Sequence, residues 1–260
     1  MIRDDNPFIM SAMTAASFPR GRRVLVALAA LLCAVCVAIP DARAAAPPAP
    51  TQVVPPTPWW SWAARVLAPT TVRVAPDLGA KSMGVLQPTA PLADGPTTLL
   101  VLEQRLIGDT EWVRLLLARR PNGSSGWVQS DVLRLRVNPM RIIIDQSDRR
   151  TYVLRNGRKV LSVRNAVGTP STPTPTGRFA VAEEIRVPSG FLGPMVLVTS
   201  GFSEVLNEYA GGNGRFAMHG TSLPGLIGTR ASHGCIRHLN ADILRIAALV
   251  SPGTPIIIRR

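Results

Sequence analysis

The sequence predicts a mostly β protein in two parts: a small barrel over residues 63–136, then a β-rich domain over 139–260 with one main helix. Short apolar and β-branched runs, separated by turn signals such as Pro121-Asn122-Gly123, predict the strands. Apolar residues recur at helical spacing convincingly at one place only, from Ala241 to about Val250. With 46% hydrophobic and 17% charged residues in 260, the chain can bury one large core or two small ones.

The N-terminus predicts export. A basic segment around Arg22 is followed by 16 apolar residues, Val24 to Ile39, and then by the small-residue pattern Ala42-Arg43-Ala44. This is the layout of a signal peptide over residues 1–44, and the apolar run is short for a membrane span, which needs about 20 residues. We therefore expect a periplasmic or cell-envelope protein that meets the membrane only through an uncleaved signal.

A proline-rich segment over residues 45–62 predicts a stiff, extended linker. The expected strands of the small barrel follow, at 71–74, 82–86, 98–103, 111–117 and from 126.

The second domain begins with a buried-strand pattern at Arg141. Its expected strands lie at 141–145, 149–155, 159–163, 179–185, 195–199, 215–218 and 255–259, with a Pro/Thr-rich loop at 168–177. Asn240 is the expected cap of the helix, because its side chain can accept a hydrogen bond from a free amide of the first turn.

The charge composition indicates which kinds of binding partner are expected. The formal net charge is +13, and arginine supplies 27 of the 29 basic side chains. Such a balance favours anionic partners, and for an exported protein these are cell-envelope polymers. No basic block is interleaved with stacking aromatics, so nucleic acid is not an expected partner.

Cys235 is the candidate nucleophile. The other two cysteines, Cys33 and Cys36, lie in the predicted signal, and all three histidines fall between residues 219 and 238. A thiol becomes a good nucleophile as a thiolate, so it needs a base, and histidine serves near neutral pH. His219 ends a predicted strand sixteen positions before Cys235, and a returning loop can bring the two together.

The remaining residues of the motif have expected supporting roles. The carbonyl of Gly220, or Thr221, is the candidate orienter of the base. Gly234 frees the backbone beside the nucleophile, so the amides of Gly234 and Cys235 are expected to line an oxyanion hole. His233 is expected to support the site locally, and His238 to lie at the surface or at a helix start. Tyr209 could line the substrate cleft or pack in the core, and the nearby glycines 211, 212 and 214 suggest a lid.

The segments Met218-His219-Gly220-Thr221 and Ser232-His233-Gly234-Cys235-Ile236-Arg237, with Pro173–Gly177 before them, resemble the L,D-transpeptidase (YkuD-type) catalytic domain over roughly 139–260. The resemblance implies a β-rich catalytic domain with Cys235 as nucleophile and His219 as base. It also implies a substrate-binding role for Arg237, where the guanidinium could hold a substrate carboxylate. Thr221 is a further candidate for substrate binding. Ser232 is also expected to support the site locally. No cofactor or metal is expected.

The implied reaction has two steps. The Cys235 thiolate attacks the carbonyl of the third residue of a peptidoglycan stem tetrapeptide, and D-Ala leaves. The thioester then passes to an acceptor amine, either of a second stem peptide or of an anchored lipoprotein.

Residues 63–136 resemble a bacterial Src-homology-3-like domain. The pattern is Val-Arg-x-x-Pro from Val72, a later Trp-Val-Arg from Trp112, an Asn-Gly hairpin, and Gly-Trp-Val-x-x-x-x-Leu from Gly126. Such domains bind wall peptide or glycan, or serve as spacers, and both remain open here.

Three other interpretations of the function also remain open. Water could replace the amine, which would make the protein an L,D-carboxypeptidase or endopeptidase. The protein could bind the wall without catalysis, with the barrel as its working part. Finally, His219, His233, Cys235 and His238 offer zinc ligands, but their spacing does not follow the usual zinc patterns.

Overall fold

The computed structural model describes residues 56–188, 190–209 and 211–260. The predicted signal peptide and most of the predicted linker lie outside these residues. Within them the mostly β prediction with one main helix is confirmed. Two large sheets, named here the N-terminal and C-terminal sheets, belong to a single compact unit.

The N-terminal sheet has seven strands in the spatial order β3-β2-β6-β5-β4-β1-β7. Its strands are β1 (Ser61–Val66), β2 (Thr70–Arg73), β3 (Ser82–Leu86), β4 (Thr98–Ile107), β5 (Thr110–Leu116), β6 (Ser125–Gln129) and β7 (Leu133–Asn138). A short 3-10 turn at Ser130–Val132 joins β6 to β7. Buried aliphatic side chains, among them Leu115 and Val128, form its core. The resemblance of this region to a Src-homology-3-like domain stays a prediction.

Sequence patterning missed two strands of this sheet. The first, β1, begins at Ser61, inside the segment predicted as linker. Its alanines have low strand propensity, and it is a strand because it pairs antiparallel with both β4 and β7. The second missed strand, β7, exists through the same pairing.

The C-terminal sheet has eight strands in the order β10-β9-β8-β17-β12-β13-β14-β16. The elements of this region are β8 (Met140–Asp145), β9 (Arg150–Arg155), β10 (Arg158–Arg164), β11 (Val167–Gly168), β12 (Gly177–Arg186), β13 (Met195–Phe202), β14 (Arg215–His219), β15 (Arg230–Ser232), β16 (Ile236–Arg237), α1 (Asn240–Ala247) and β17 (Pro255–Arg259), with a 3-10 turn at Pro224–Leu226. Strands β11 and β15 pair separately in a small parallel sheet.

The helix α1 is shorter than predicted and is capped differently. It ends at Ala247, and Leu239 rather than Asn240 occupies the N-cap position, without a side-chain cap. Ile243 and Ile246 point into the core of the C-terminal sheet, as the apolar spacing predicts. Asn240 makes a different contact, described with the site below.

The hairpin turn between β9 and β10 follows the predicted turn chemistry. Asn156 and Gly157 both have positive φ, at 49° and 75°. Two successive residues with positive φ are required by the tight type I′ hairpin turn, and Asn-Gly tolerates that conformation best.

Phe179 of β12 and Phe216 of β14 anchor the core beneath the candidate site. Their rings meet edge to face, with centroids 5.1 Å apart and an interplanar angle of 87°. Both side chains are almost fully buried. Edge-to-face pairs add to the free energy gained from area burial, so this pair stabilises the position of β14 within the C-terminal sheet.

We predict that Phe216→Ala lowers the free energy of unfolding by roughly 3–5 kcal/mol, because it removes a buried aromatic ring and leaves a cavity. Leu106→Ala is the control, since Leu106 is 71% exposed, and it should change stability by less than about 0.5 kcal/mol. Urea unfolding measures both. A loss below about 1 kcal/mol for Phe216→Ala would contradict the assigned packing.

Candidate active site

Two parallel strands bring the predicted nucleophile and base together. His219 is the last residue of β14, and Cys235 directly precedes β16. The register pairs Met218 with Ile236 and His219 with Arg237. Alternation sends Met218 and Ile236 into the core and leaves His219 on the opposite face. The Cys235 thiol is hydrogen-bonded to the Ala217 backbone, two residues before His219. Because neighbouring strands lie about 4.8 Å apart, side chains offset in this way can meet.

The imidazole of His219 is held in one tautomer. Its Nδ1 lies 2.6 Å from the carbonyl oxygen of Gly220. A carbonyl oxygen only accepts hydrogen bonds, so Nδ1 carries the proton and Nε2 of the neutral ring keeps its lone pair. One of the two predicted orienters, the Gly220 carbonyl, therefore contacts the base.

The same histidine is kept neutral. Burial lowers the pKa of His219 to about 4; the hydrogen bond to Gly220 opposes this shift, and the positive charge of Arg237 reinforces it. The side chain is 2% exposed. At neutral pH the ring is thus an unprotonated base.

The thiol is neutral as well. Burial raises the pKa of Cys235, while the hydrogen bond to the Ala217 backbone and the positive charge of Arg237 act in the opposite direction. The resting pair is therefore a thiol and an imidazole. A thiolate forms when the proton moves to the imidazole.

A tight turn carries Cys235. Ser232 Oγ donates to the carbonyl of Cys235 at 2.6 Å and accepts from the Gly234 amide at 3.2 Å. Gly234 has a φ of 113°, which glycine adopts without strain. The expectation that both amides line an oxyanion hole is wrong for Gly234, because Ser232 occupies its N–H.

The Pro/Thr-rich loop at 168–177 braces this turn. Thr174 Oγ1 donates to the Gly234 carbonyl at 2.9 Å and accepts from the Gly168 amide at the same distance. Thr172 Oγ1 donates to the carbonyl of Ser232 at 3.2 Å. The threonines thus position the backbone on which the thiol sits.

Asn240, together with two glycines, positions the base. Asn240 Oδ1 accepts a hydrogen bond from the Thr221 amide at 2.8 Å. A Cβ on Gly220 would lie 2.4 Å from Asn240 Oδ1, and a Cβ on Gly193 would lie 2.7 Å from the Gly220 Cα. The close approach therefore requires glycine at both positions. Sequence reasoning missed Gly193 and missed this role of Asn240, because both depend on contacts between distant segments.

Arg237 is a buried cation beside the pair. It is 7% exposed, and its guanidinium carbon lies 5.1 Å from the centroid of the Phe191 ring. The Phe191 ring is in turn 6.5 Å from that of His219. No carboxylate lies within ion-pair distance of Arg237 among residues 56–188, 190–209 and 211–260. Phe191 was missed by sequence reasoning, although an aromatic residue in a Pro/Gly-rich loop was a signal that could have found it.

A cleft of about 570 Å³ opens at Cys235. Tyr209 lines it, and its ring stacks on His233 with centroids 4.5 Å apart and an interplanar angle of 25°. Of the two roles considered for Tyr209, the structure thus favours cleft lining. The cleft is also lined by Pro91, Leu92, Ser203, Leu206, Asn213, Arg215 and Ala217. Pro91 and Leu92 come from the N-terminal part of the chain.

Comparisons with known proteins identify relatives of the C-terminal region. The model of the YkuD family, the L,D-transpeptidase catalytic domain, matches residues 139–258. The L,D-transpeptidase-family protein YkuD of Bacillus subtilis is 31% identical over 122 residues, which are 47% of this chain and 67% of the relative. Its counterpart from Bacillus licheniformis is 32% identical over 120 residues, 46% of this chain and 66% of the relative.

The chain belongs to the L,D-transpeptidase family. Among solved structures, a C442S mutant of the Enterococcus faecium L,D-transpeptidase is similar at 19% identity and a TM-score of 0.37, over 46% of this chain and 49% of that one.

The structure corrects the expected placement of two residues in this L,D-transpeptidase domain. Thr221, expected in substrate binding, is buried, and its hydroxyl accepts the Leu223 amide at 3.0 Å, so its side chain closes a turn instead of facing the cleft. His238, expected at the surface or at a helix start, is fully buried and directly precedes Leu239, the N-cap residue of α1. Its amide continues the β14–β16 pairing by donating to the His219 carbonyl at 2.9 Å, which draws the residue inward.

The ring of His238 is part of a buried polar group. Its Nε2 lies 2.8 Å from Thr151 Oγ1, which also accepts from Asn165 Nδ2 at 2.8 Å. Burial lowers the pKa of His238 to about 3, so it is neutral at physiological pH.

The candidate zinc ligands of the sequence have other contacts in the structure. His233 stacks on Tyr209, and His238 bonds to Thr151, so the four candidate ligands have separate partners. In the described part of the chain, no three His, Cys, Asp or Glu side chains are arranged to hold a metal.

Over residues 56–188, 190–209 and 211–260, no helix has the length and apolar character needed to cross a bilayer.

We predict that Asn240→Ala lowers stability by about 1 kcal/mol, because the Thr221 amide loses its acceptor. Asn240→Asp keeps an oxygen acceptor and should retain most of that stability. Urea unfolding of the two variants at pH 7 tests this, and an equal loss in both would contradict the assigned hydrogen bond.

We predict a loss of stability between pH 7 and pH 5. An unfolded histidine binds a proton with a pKa near 6.5, whereas folded His219 and His238 stay neutral down to about pH 4 and pH 3. The unfolded state therefore binds more protons in this range, and stability falls by roughly 2 kcal/mol per histidine at pH 5.

Urea unfolding of the wild type and of His238→Gln at both pH values measures this effect. The variant has one buried histidine fewer, so its stability should fall about half as much between pH 7 and pH 5. An undiminished fall would show that His238 does not titrate as the structure requires.

Proposed function

We propose that this protein is an exported enzyme that cross-links peptidoglycan by L,D-transpeptidation. The observation that carries the proposal is the pairing of β14 with β16, which brings a buried neutral imidazole and a partly buried thiol to one face of a sheet. Membership of the L,D-transpeptidase family supports stem peptides as substrates. Export is inferred from the N-terminal sequence.

In the first step, Nε2 of His219 takes the proton of the Cys235 thiol as sulfur attacks the carbonyl carbon of the third stem residue. The carbon–sulfur bond forms and the carbonyl becomes an oxyanion, which the amide of Cys235 can stabilise. The peptide bond to D-Ala then breaks, and His219 returns the proton to the leaving amine. A thioester remains on Cys235.

In the second step, an acceptor amine attacks the thioester. His219 accepts a proton from the amine, the carbon–sulfur bond breaks, and the proton returns to the Cys235 thiolate. The products are a new amide cross-link and the free enzyme. The acceptor is another stem peptide in our proposal; an anchored lipoprotein would react in the same way.

Arg237 is proposed to bind a carboxylate of the substrate. Its support is a buried guanidinium beside the reacting pair with no carboxylate partner in the described residues. A buried cation gains most from a charged acceptor that a ligand supplies. Tyr209 and His233, stacked at the cleft wall, are proposed to contact the peptide.

Incubation with a disaccharide-tetrapeptide, followed by mass spectrometry, tests the reaction. We expect an acyl adduct on Cys235, loss of D-Ala and formation of cross-linked dimers. Loss of D-Ala without dimers would instead identify water as the acceptor. Cys235→Ala should form no adduct, and an adduct at the wild-type rate in that variant would contradict the proposal.

The base is tested with His219→Ala. General-base catalysis contributes a factor of about 10² to 10⁴, so adduct formation should slow at least a hundredfold. Arg245→Ala is the control, because that side chain is exposed on the helix and pairs with Asp242. It should react at the wild-type rate. A wild-type rate for His219→Ala would exclude His219 as the base.

A further inference from the structure

The N-terminal sheet contacts the segment that forms a wall of the catalytic cleft. This segment, called here the cleft loop, comprises residues 203–209 and 211–214 between β13 and β14. It carries Tyr209, which stacks on His233 beside Cys235. Arg120 and Asn122, in the turn between β5 and β6, are the N-terminal residues that bond to the cleft loop and to the strand end before it.

Arg120 joins the two ends of the cleft loop. Its Nη1 donates to the Ser203 carbonyl at 2.6 Å, and its Nη2 donates to the carbonyls of Leu206 at 2.9 Å and Asn213 at 3.3 Å. A planar guanidinium offers several donors in fixed directions, so one side chain can satisfy three carbonyls. A Cβ on Gly214 would lie 2.7 Å from Arg120 Nη2, so the glycine leaves room for this side chain.

Asn122 pairs with the strand end from which the cleft loop starts. Its Nδ2 donates to the Phe202 carbonyl, and its Oδ1 accepts from the Phe202 amide, both at 2.8 Å. This two-point contact resembles one step of a β-ladder. The Arg120 guanidinium also lies over the Phe202 ring, 5.0 Å from its centroid. The entrance to the loop is thus held on its backbone and on its side chain.

Bonds within the cleft loop are local. Ser203 accepts from the amides of Val205 and Leu206 through its hydroxyl, and Tyr209 pairs with Gly212 through two backbone hydrogen bonds. The backbone bond from Ser203 N–H to the Gly214 carbonyl closes the base of the loop. Besides the stacking of Tyr209 on His233, the hydrogen bond from Arg120 to Leu206 ties the middle of the loop to a second part of the chain.

We propose that Arg120 and Asn122 are positioning residues that hold the cleft loop, and with it Tyr209, in the geometry that binds the peptide substrate. The N-terminal sheet is then a working part of the substrate site in addition to any ligand it binds itself. This inference rests on the proposed function for the identity of the substrate, while the ordering of the loop can be measured without any reaction.

Removal of Arg120 leaves the two sheets joined. The buried carboxylate of Glu183 accepts the amides of Leu92 and Ala93, each at 2.8 Å. Asn138, at the end of β7, donates from Nδ2 to Oγ1 of Thr254, directly before β17, at 2.9 Å. These contacts are independent of Arg120, so an Arg120 variant is expected to fold and to keep its sheets together.

The test compares Arg120→Ala and Asn122→Ala with the control Arg119→Ala. Arg119 is the neighbouring arginine, and its Nη1 donates to the Met83 carbonyl within the N-terminal sheet. Hydrogen exchange by mass spectrometry follows the amides of the cleft loop. We expect at least tenfold faster exchange there in Arg120→Ala and Asn122→Ala, and less than twofold change in Arg119→Ala. Arg120→Lys, with one ammonium group in place of the fork, should lie between.

Steady-state kinetics with the tetrapeptide provide the second readout. Because Cys235 and His219 are untouched, we expect KM to rise at least fivefold in Arg120→Ala with kcat within twofold. If loop exchange and KM in Arg120→Ala and Asn122→Ala match those of Arg119→Ala, the positioning role is wrong. A wild-type enzyme that forms no adduct with the tetrapeptide would refute the proposed function, and hydrogen exchange would still decide whether the loop is held.

Discussion

The parallel pairing of β14 with β16 is the interaction on which the site depends. It is only two residue pairs long, Met218 with Ile236 and His219 with Arg237. Its core face is covered by the packing of Met218, Ile236 and neighbouring apolar side chains. The other face receives the histidine and the arginine, with the thiol entering from the preceding turn. A slip of one residue would exchange the two faces and send His219 into the core.

Such a short pairing needs support from outside the sheet. Threonines of the 168–177 loop hold the turn that delivers Cys235. On the other strand, Gly193 and Asn240 contact the segment that follows His219. Both sides therefore rely on close backbone approaches, where a larger residue would not fit. The reactive geometry is defined by segments that are distant in sequence, which gives the pair little freedom to move.

The electrostatics of the site keep both reactive groups neutral at rest. Burial disfavours charge on His219 and on Cys235, and Arg237 adds a positive charge that disfavours the imidazolium and favours the thiolate. A neutral pair is compatible with burial, since an unsolvated ion pair costs several kcal/mol in desolvation. In the proposed reaction, charge then develops next to a cation that has no carboxylate partner within the described residues. The N-terminal part of the chain also contacts the site, because Arg120 donates hydrogen bonds to the cleft loop.

The mostly β class and most of the strands could be predicted from the sequence alone, as could the choice of Cys235 and His219, which lie at or beside the paired strands β14 and β16. Periodicity and turn residues are local properties, and a cysteine in the segment that holds all three histidines is visible without coordinates. Local pattern failed where long-range contacts decided the outcome. The alanine-rich β1 is a strand through its two neighbours, and Asn240 accepts the Thr221 amide instead of capping its own helix.

The contacts of the other motif residues follow from the tertiary structure and not from the motif. His238 is buried, and the Thr221 hydroxyl accepts a hydrogen bond within its own turn. The Gly234 amide donates to the Ser232 hydroxyl. The tertiary structure also brings Phe191 and Arg120 to the site from outside the motif. The physical reason is that burial and hydrogen-bond partners depend on the complete set of neighbours in space. The motif therefore names Cys235 and His219, and the fold determines their protonation, orientation and surroundings.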